Sequence, residues 1–254
     1  RFSLNDMSFV FGSGKVNEFV IRYSGFIFRN GFFIIPYLRL MNLHSFTFNP
    51  FQENMYILWD DTKETVIVDP GCYNASDQKQ VATFVEQNDL NVVALLNTHC
   101  HIDHIFGNAF VVERFNVPFY MHEKDLPVLQ SGQQTSMMYG LNYDTSPNPK
   151  SYLVEGEDFS FGETTLKIRF TPGHSPGSVC FIHHESKTVI GGDVLFKQSV
   201  GRTDLPGGDS ATLINSIRTE LFTLSDDFTV HSGHGPETTI GFEKQYNPFL
   251  NGTY

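Results

Sequence analysis

Three histidines and one aspartate fall within six residues, His99-Cys100-His101-Ile102-Asp103-His104. Neutral imidazoles and carboxylates are donors that zinc, iron and manganese accept. Four such groups packed this tightly point to metal chemistry rather than to a polar helix cap. Side chains two residues apart in extended backbone point the same way, so His99 and His101 are placed to reach one ion. Asp103 and His104 follow after the chain has turned, and face a second ion beside the first. Cys100 alternates to the other side and reads as a small packed residue.

More donors occur singly at comparable places: His174 in Thr171-Pro172-Gly173-His174-Ser175-Pro176-Gly177, Asp193 in Gly191-Gly192-Asp193, and His234 in Ser232-Gly233-His234-Gly235-Pro236. Each follows a glycine, which lets the backbone turn sharply and bring a side chain in close. Together the seven residues would supply ligands from four strand ends, enough for two metals sharing one carboxylate.

The elements that must position them are strands and helices in alternation. Alternating apolar residues predict strands at 43–48, 55–59 and 65–68, a meander. Ser76 or Asp77 is suited to cap a helix carrying Val81, Phe84 and Val85 on one face. The continuous apolar run Val92 to Leu96 predicts a strand covered on both faces, with a helix through Ile105, Ala109 and Val112 behind it. The second half repeats the pattern: strands at 165–170, 179–183 and 188–191, a helix through Leu213, Ile217, Leu221 and Leu224, then a strand at 228–231. Residues 122–152 read as a helix and a long loop, in which Met137, Met138, Tyr139 and Tyr143 either pack on the protein's own surface or wall the site. Two sheets, each followed by helices, predict a sandwich with the helices outside.

Composition narrows the function classes. The chain has 254 residues, with 17 Lys and Arg against 28 Asp and Glu, a net charge of −11. That balance argues against a nucleic-acid partner, which needs clustered cations to displace counterions. Three cysteines are too few for a disulfide framework, and a reducing cytoplasm is the expected setting. Residues 1–40 differ from the rest: they hold eight of the 25 Phe and five basic against two acidic groups. Their apolar stretch from Phe26 to Leu40 is interrupted by Arg29, Asn30, Pro36 and Arg39, too short and polar to span a bilayer, so no membrane partner is expected. A short strand fits 32–38. We expect residues 1–40 to lie outside the working domain, as an upstream extension from a misplaced start, and residues 41–254 to form it.

Thr98-His99-Cys100-His101-Ile102-Asp103-His104, the turn around His174, Gly191 to Phe196 and the turn around His234, in this order, resemble the metallo-β-lactamase superfamily. The resemblance implies an α/β fold, a four-layer αββα sandwich of two mixed sheets with helices outside. It further implies that His99, His101 and His174 hold one metal, that Asp103, His104 and His234 hold the other, and that Asp193 bridges them. Zinc is the expected metal, with iron or manganese as alternatives. Asp69, in Val68-Asp69-Pro70-Gly71, matches a strand-end motif that braces the metal loops.

The stretch from Ser199 through Arg202 and Asp204 to Asp209 is similar to the short, single-domain glyoxalase II-like hydrolases, and so is the segment from His234 to Phe249. Arg202 and Asp204 are expected to order the loop beside the metals. The bridging Asp193 argues against the lactamases themselves, His101 against flavodiiron proteins, and the acidic charge against tRNA-processing relatives. The implied activity is hydrolysis of S-acylglutathione-type thioesters such as S-D-lactoylglutathione, a small-molecule substrate, by a metal-bridging hydroxide. Asp103 and Asp193 would be the catalytic carboxylates, and no Ser or Cys nucleophile is needed. A persulfide dioxygenase with one iron on the same fold is the alternative.

Overall fold

The computed structural model describes residues 41–252 and, before them, the backbone of four strands. The chain divides into two compact units, residues 1–39 and 40–254. In the first, β1 (Ser8–Phe11), β2 (Phe19–Tyr23), β3 (Phe26–Arg29) and β4 (Phe32–Ile34) pair as an antiparallel meander. The sequence predicts one of these, the strand at 32–38, where β4 starts; the other three were not anticipated. The expectation that residues 1–40 stand outside the working domain otherwise concerns residues outside those described.

The second unit opens with the anticipated meander, β5 (Asn42–Phe48), β6 (Glu53–Trp59) and β7 (Glu64–Val68). Next comes α1 (Ala75–Gln87), whose cap is Asn74 rather than Ser76 or Asp77; its side chain accepts from the backbone N–H groups of both. Then β8 (Asn91–Leu96) pairs in parallel with β7. The helix expected after it is broken in two, α2 (Ile102–Ile105) and α3 (Asn108–Phe115). Parallel strand β9 (Phe119–His122), helix α4 (Leu126–Tyr139) and parallel strand β10 (Ser151–Leu153) complete a six-stranded mixed sheet, ordered β10-β9-β8-β7-β6-β5.

The second sheet begins with four antiparallel strands, β11 (Asp158–Phe161), β12 (Thr164–Phe170), β13 (Val179–His183) and β14 (Thr188–Gly192). A small hairpin, β15 (Leu195–Phe196) with β16 (Ser199–Val200), precedes α5 (Ser210–Ser216), which continues as a π-helical turn over Ile217–Leu221. Strand β17 (Thr229–Ser232) lies parallel to β14, β18 (Thr238–Thr239) closes the sheet at β17, and α6 (Ile240–Tyr246) follows. The sheet order is β11-β12-β13-β14-β17-β18, again mixed.

Period-two alternation sorts side chains into separate cores. On β6, Met55 and Ile57 pack with Val81, Val85 and Ile105 under the helices, whereas Tyr56 and Leu58 face Leu166 and Phe181 of the other sheet. On the far side, Ile182, Val189 and Val230 meet Leu213, Ile217 and Ile240. These three apolar layers separate four layers of secondary structure, the αββα sandwich. Each fully buried aliphatic or aromatic side chain contributes about 1.5–3 kcal/mol. Among the described residues, no helix is long and apolar enough to cross a membrane.

Candidate metal centre

All seven anticipated residues meet at one edge of the sandwich, where loops from both sheets end. His99, His101 and His174 form one group and Asp103, His104 and His234 another, with donor atoms within 4.8 Å of one another in each. Asp193 reaches both: Oδ2 lies 3.5 Å from Nε2 of His174 and of His234, and Oδ1 lies 3.4 Å from His104 Nε2. Asp103 Oδ2 is 3.1 Å from His234 Nε2.

Hydrogen bonds decide which ring nitrogen each histidine presents. His174 Nδ1 donates to the Arg202 carbonyl (2.7 Å), and His234 Nδ1 to the Phe51 carbonyl (3.0 Å). His104 Nδ1 donates to Asp69 (3.1 Å). The Thr98 hydroxyl gives its proton to Asp69 and so accepts from His99 Nδ1 (3.1 Å). In all four, Nε2 is the nitrogen turned toward the centre; on His104 and His234 it faces the carboxylates of Asp193 and Asp103. His101 is the exception and presents Nδ1, 2.8 Å from His174 Nε2.

The donor set fits metal ions. His104 Nε2 and Asp193 Oδ1 are buried without a hydrogen-bond partner, a costly state for neighbouring polar atoms unless a cation joins them. Burial holds His99 well below the usual histidine range and His101 at about 3, so both are neutral and ready to ligate. Burial also opposes charge on His104, but the carboxylates of Asp103 and Asp193 outweigh it and hold its pKa well above normal. His234 is raised too, against burial, by its bond to Asp103.

Asp69 stands just behind the ligands, at a positive φ of 48° after β7. Its carboxylate accepts from Thr98 N (2.7 Å), Thr98 Oγ1 (2.5 Å), Asn97 Nδ2 (3.2 Å) and His104 Nδ1 (3.1 Å). Both oxygens are thus committed to the loop and to His104, although the Asp69 carboxylate also lies within 4.8 Å of donor atoms of His99 and His104. The anticipated loop-ordering pair is present as well: Arg202 Nε and Nη2 each lie 2.7 Å from an oxygen of Asp204.

The close approach expected of the glycines is also observed. A Cβ on Gly233 would fall against Asp193 Oδ1 and 2.7 Å from His104 Cε1, and one on Gly192, at φ 48°, would strike the Thr98 side chain. Gly233→Ala is expected to cost about 1–3 kcal/mol through overpacking and to release metal on dialysis, checked by denaturant unfolding and metal analysis.

Three buried polar groups beside the centre escaped the sequence reading. Asp125, fully buried, accepts from Cys100 N (2.6 Å), Ser175 Oγ (2.5 Å) and Gly177 N (2.6 Å), latching the His99–His101 loop to the His174 loop. Burial pushes its pKa up against those bonds from Ser175, Gly177 and Cys100. Gly173 to Gly177 therefore has the spacing of a nucleophile elbow, G-x-S-x-G, but its serine is buried and spent on Asp125. Asn54 ties β6 to the other sheet, donating to the carbonyls of Ser232 (3.1 Å) and Gly235 (2.9 Å) around His234. Glu53 is fully buried, 3.9 Å from His104 Nδ1, and neither of its oxygens has a partner; burial raises its pKa well above the carboxylate range.

The centre opens into a cavity of about 560 Å³, lined by His101, Asp103, His174 and Asp193 and, on mostly apolar walls, by Phe51, Ile102, Val128, Met138, Tyr139 and Leu205. Of the four wall residues anticipated, Met138 and Tyr139 line it. Met137 does not line it. Tyr143 packs instead on the helix-side core and over Gly132.

A sandwich of two mixed sheets carrying this His and Asp cluster at its edge defines a metal-binding hydrolase. Residues 48–234 match the family model of the metallo-β-lactamase superfamily, and the chain belongs to that superfamily. It is 40% identical over 213 residues to the hydroxyacylglutathione hydrolase GloC of Haemophilus influenzae, covering 83% of this chain and 99% of that relative. Among solved structures it is similar to BLEG-1 B3 metallo-β-lactamase, with a TM-score of 0.76 and 38% identity over 83% of this chain and 100% of that one. It is also similar to TTHA1623 in a di-iron-bound form, with a TM-score of 0.74 and 37% identity over 82% and 100%.

Proposed function

We propose that the protein is a dinuclear metal-dependent thioester hydrolase of the glyoxalase II type, acting on S-acylglutathione-type thioesters such as S-D-lactoylglutathione. The observation that carries this reading is the meeting of two ligand triads on one carboxylate, Asp193, at the floor of a large, mostly apolar cavity. The likeness to the Haemophilus influenzae hydrolase supports the substrate class. The ligands are those named above: His99, His101 and His174 for one ion, Asp103, His104 and His234 for the other, Asp193 for both. When bound, two divalent ions, zinc with iron or manganese as alternatives, supply an acidified water and a polarised carbonyl.

The chain's own groups do the rest. Asp103 lines the cavity, and although burial opposes its charge, His104 and His234 keep it ionised. It is the group placed to hold a proton of the attacking water. Asp193 is held far below the usual carboxylate range, against burial, by His104, His174 and His234, so it remains an anionic clamp throughout. The mostly apolar wall lowers the local dielectric and strengthens these charges. The departing thiolate needs no strong acid, because thiols ionise at modest pH. Free, buried Cys72, Cys100 and Cys180 support a reducing setting such as the cytoplasm.

The raised pKa values of His104 and His234 fix a sign for pH. A proton sits on that group in the metal-free protein and must leave before a metal enters. Affinity at the Asp103–His104–His234 group is therefore expected to rise with pH, with protons released into a weakly buffered zinc titration. The His99–His101–His174 group, already neutral at its first two members, should bind with far less pH dependence.

Metal-loaded protein turning over S-D-lactoylglutathione while leaving a chromogenic β-lactam intact would support the reading. The reverse pattern would favour β-lactam hydrolysis, a second reading that the likeness to BLEG-1 brings in. Oxygen uptake on glutathione persulfide would instead indicate the dioxygenase.

A further inference from the structure

We infer that Lys124 sets substrate specificity by reading a free carboxylate on the thiol portion of the thioester; this rests on the thioesterase reading above. The cavity, at about 560 Å³, is far larger than a small 2-hydroxyacyl group needs, so most of it must receive the thiol portion. Ligand pockets of this size typically combine apolar walls with a few placed polar groups.

Among the described residues lining the cavity, the carboxylates and imidazoles belong to the metal centre, which leaves two cations, Lys124 and Arg202. Arg202 is already neutralised by its two bonds to Asp204. Among the described residues Lys124 has no carboxylate partner; its Nζ lies 4.5 Å from the centre of the Phe170 ring. A cation over an aromatic face keeps its N–H donors free for an anion.

The lysine is also held in place relative to the chemistry. It sits in a 3₁₀ turn, Glu123–Asp125, where its backbone N–H donates to His122 Nδ1 (3.3 Å). The next residue is Asp125, which bonds to both metal-ligand loops. One turn thus ties the charge at the rim to the ligands on the floor. On a chain of net charge −11, an anionic substrate is repelled by most of the surface, and an unpaired cation at the mouth gives it a favoured approach.

The test compares wild type with Lys124→Ala, Lys124→Glu and Lys124→Arg on two lactoyl thioesters, of glutathione, which carries carboxylates, and of N-acetylcysteamine, which carries none. Lys124→Ala should lower the ratio of kcat/KM values, glutathione ester over N-acetylcysteamine ester, about tenfold, mainly through KM. Lys124→Glu should lower it further and Lys124→Arg should restore most of it. Calorimetric binding of S-hexylglutathione, which cannot be hydrolysed, should weaken about tenfold in Lys124→Ala. An unchanged ratio with unchanged S-hexylglutathione affinity overturns the inference while leaving the thioesterase reading intact. If wild type hydrolyses neither ester yet binds S-hexylglutathione in a Lys124-dependent way, the thioesterase reading falls and the carboxylate site stands.

Discussion

Asp193→Asn is expected to leave a folded protein whose kcat is lower by on the order of 10²–10³. The substitution keeps the shape of the side chain and removes its charge and one acceptor. Both oxygens are engaged in the native centre, Oδ1 toward His104 and Oδ2 toward His174 and His234. An amide offers one oxygen and turns its NH₂ donors toward imidazole nitrogens that must act as donors of electron pairs themselves. Metal analysis should show fewer than two ions per chain, and the loss should sit in kcat more than in KM, because the cavity walls that hold substrate are untouched. A variant with two ions and native turnover would remove Asp193 from the mechanism.

Asp125→Ala should give a large loss of stability although it replaces none of the seven clustered residues. It strands three donors, Cys100 N, Ser175 Oγ and Gly177 N, in a place where Asp125 itself is fully buried. Each orphaned buried donor costs about 1–3 kcal/mol, and because the three share one partner the sum should fall short of additive, at about 3–5 kcal/mol. Asp125→Asn should recover part of this, since its carbonyl oxygen can still serve Ser175 and Gly177 while its NH₂ opposes the Cys100 N–H. Urea unfolding of the metal-free variants measures the effect: a midpoint unchanged from wild type would show that the loops are held together by other means. Metal affinity should fall in parallel, because the loops bearing His99, His101 and His174 lose their common anchor.

The cluster of candidate donors was legible in the sequence because chemistry and local structure coincide there. His99 to His104 are adjacent, and His174, Asp193 and His234 each stand behind a glycine at the end of an apolar run. The central strands were legible for the same reason: β8 is a continuous apolar run and β6 alternates cleanly between two cores. Asp125 was not, because a single aspartate in His122-Glu123-Lys124-Asp125 looks like any polar helix start. Its partners lie 25, 50 and 52 residues away, and no spacing rule spans such distances. Strand β9 was missed because four residues alternate too briefly, although Phe119 and Met121 are both buried. Asn74 lost to Ser76 and Asp77 as the expected cap because all three residue types suit that role and only the backbone angles choose between them. Glu53 was hidden by its position at the start of a strand, where a glutamate normally faces water.

The division of the ligands between the two sheets also dictates when metal can be acquired. One triad needs His174 and the other His234, so neither can be completed by the first sheet and its helices. The first half does bring Asp69, His99 and His104 within reach of one another, but Asp69 is spent on Asn97 and Thr98. Capture of both ions is therefore expected to wait on the docking of the two halves, late in folding.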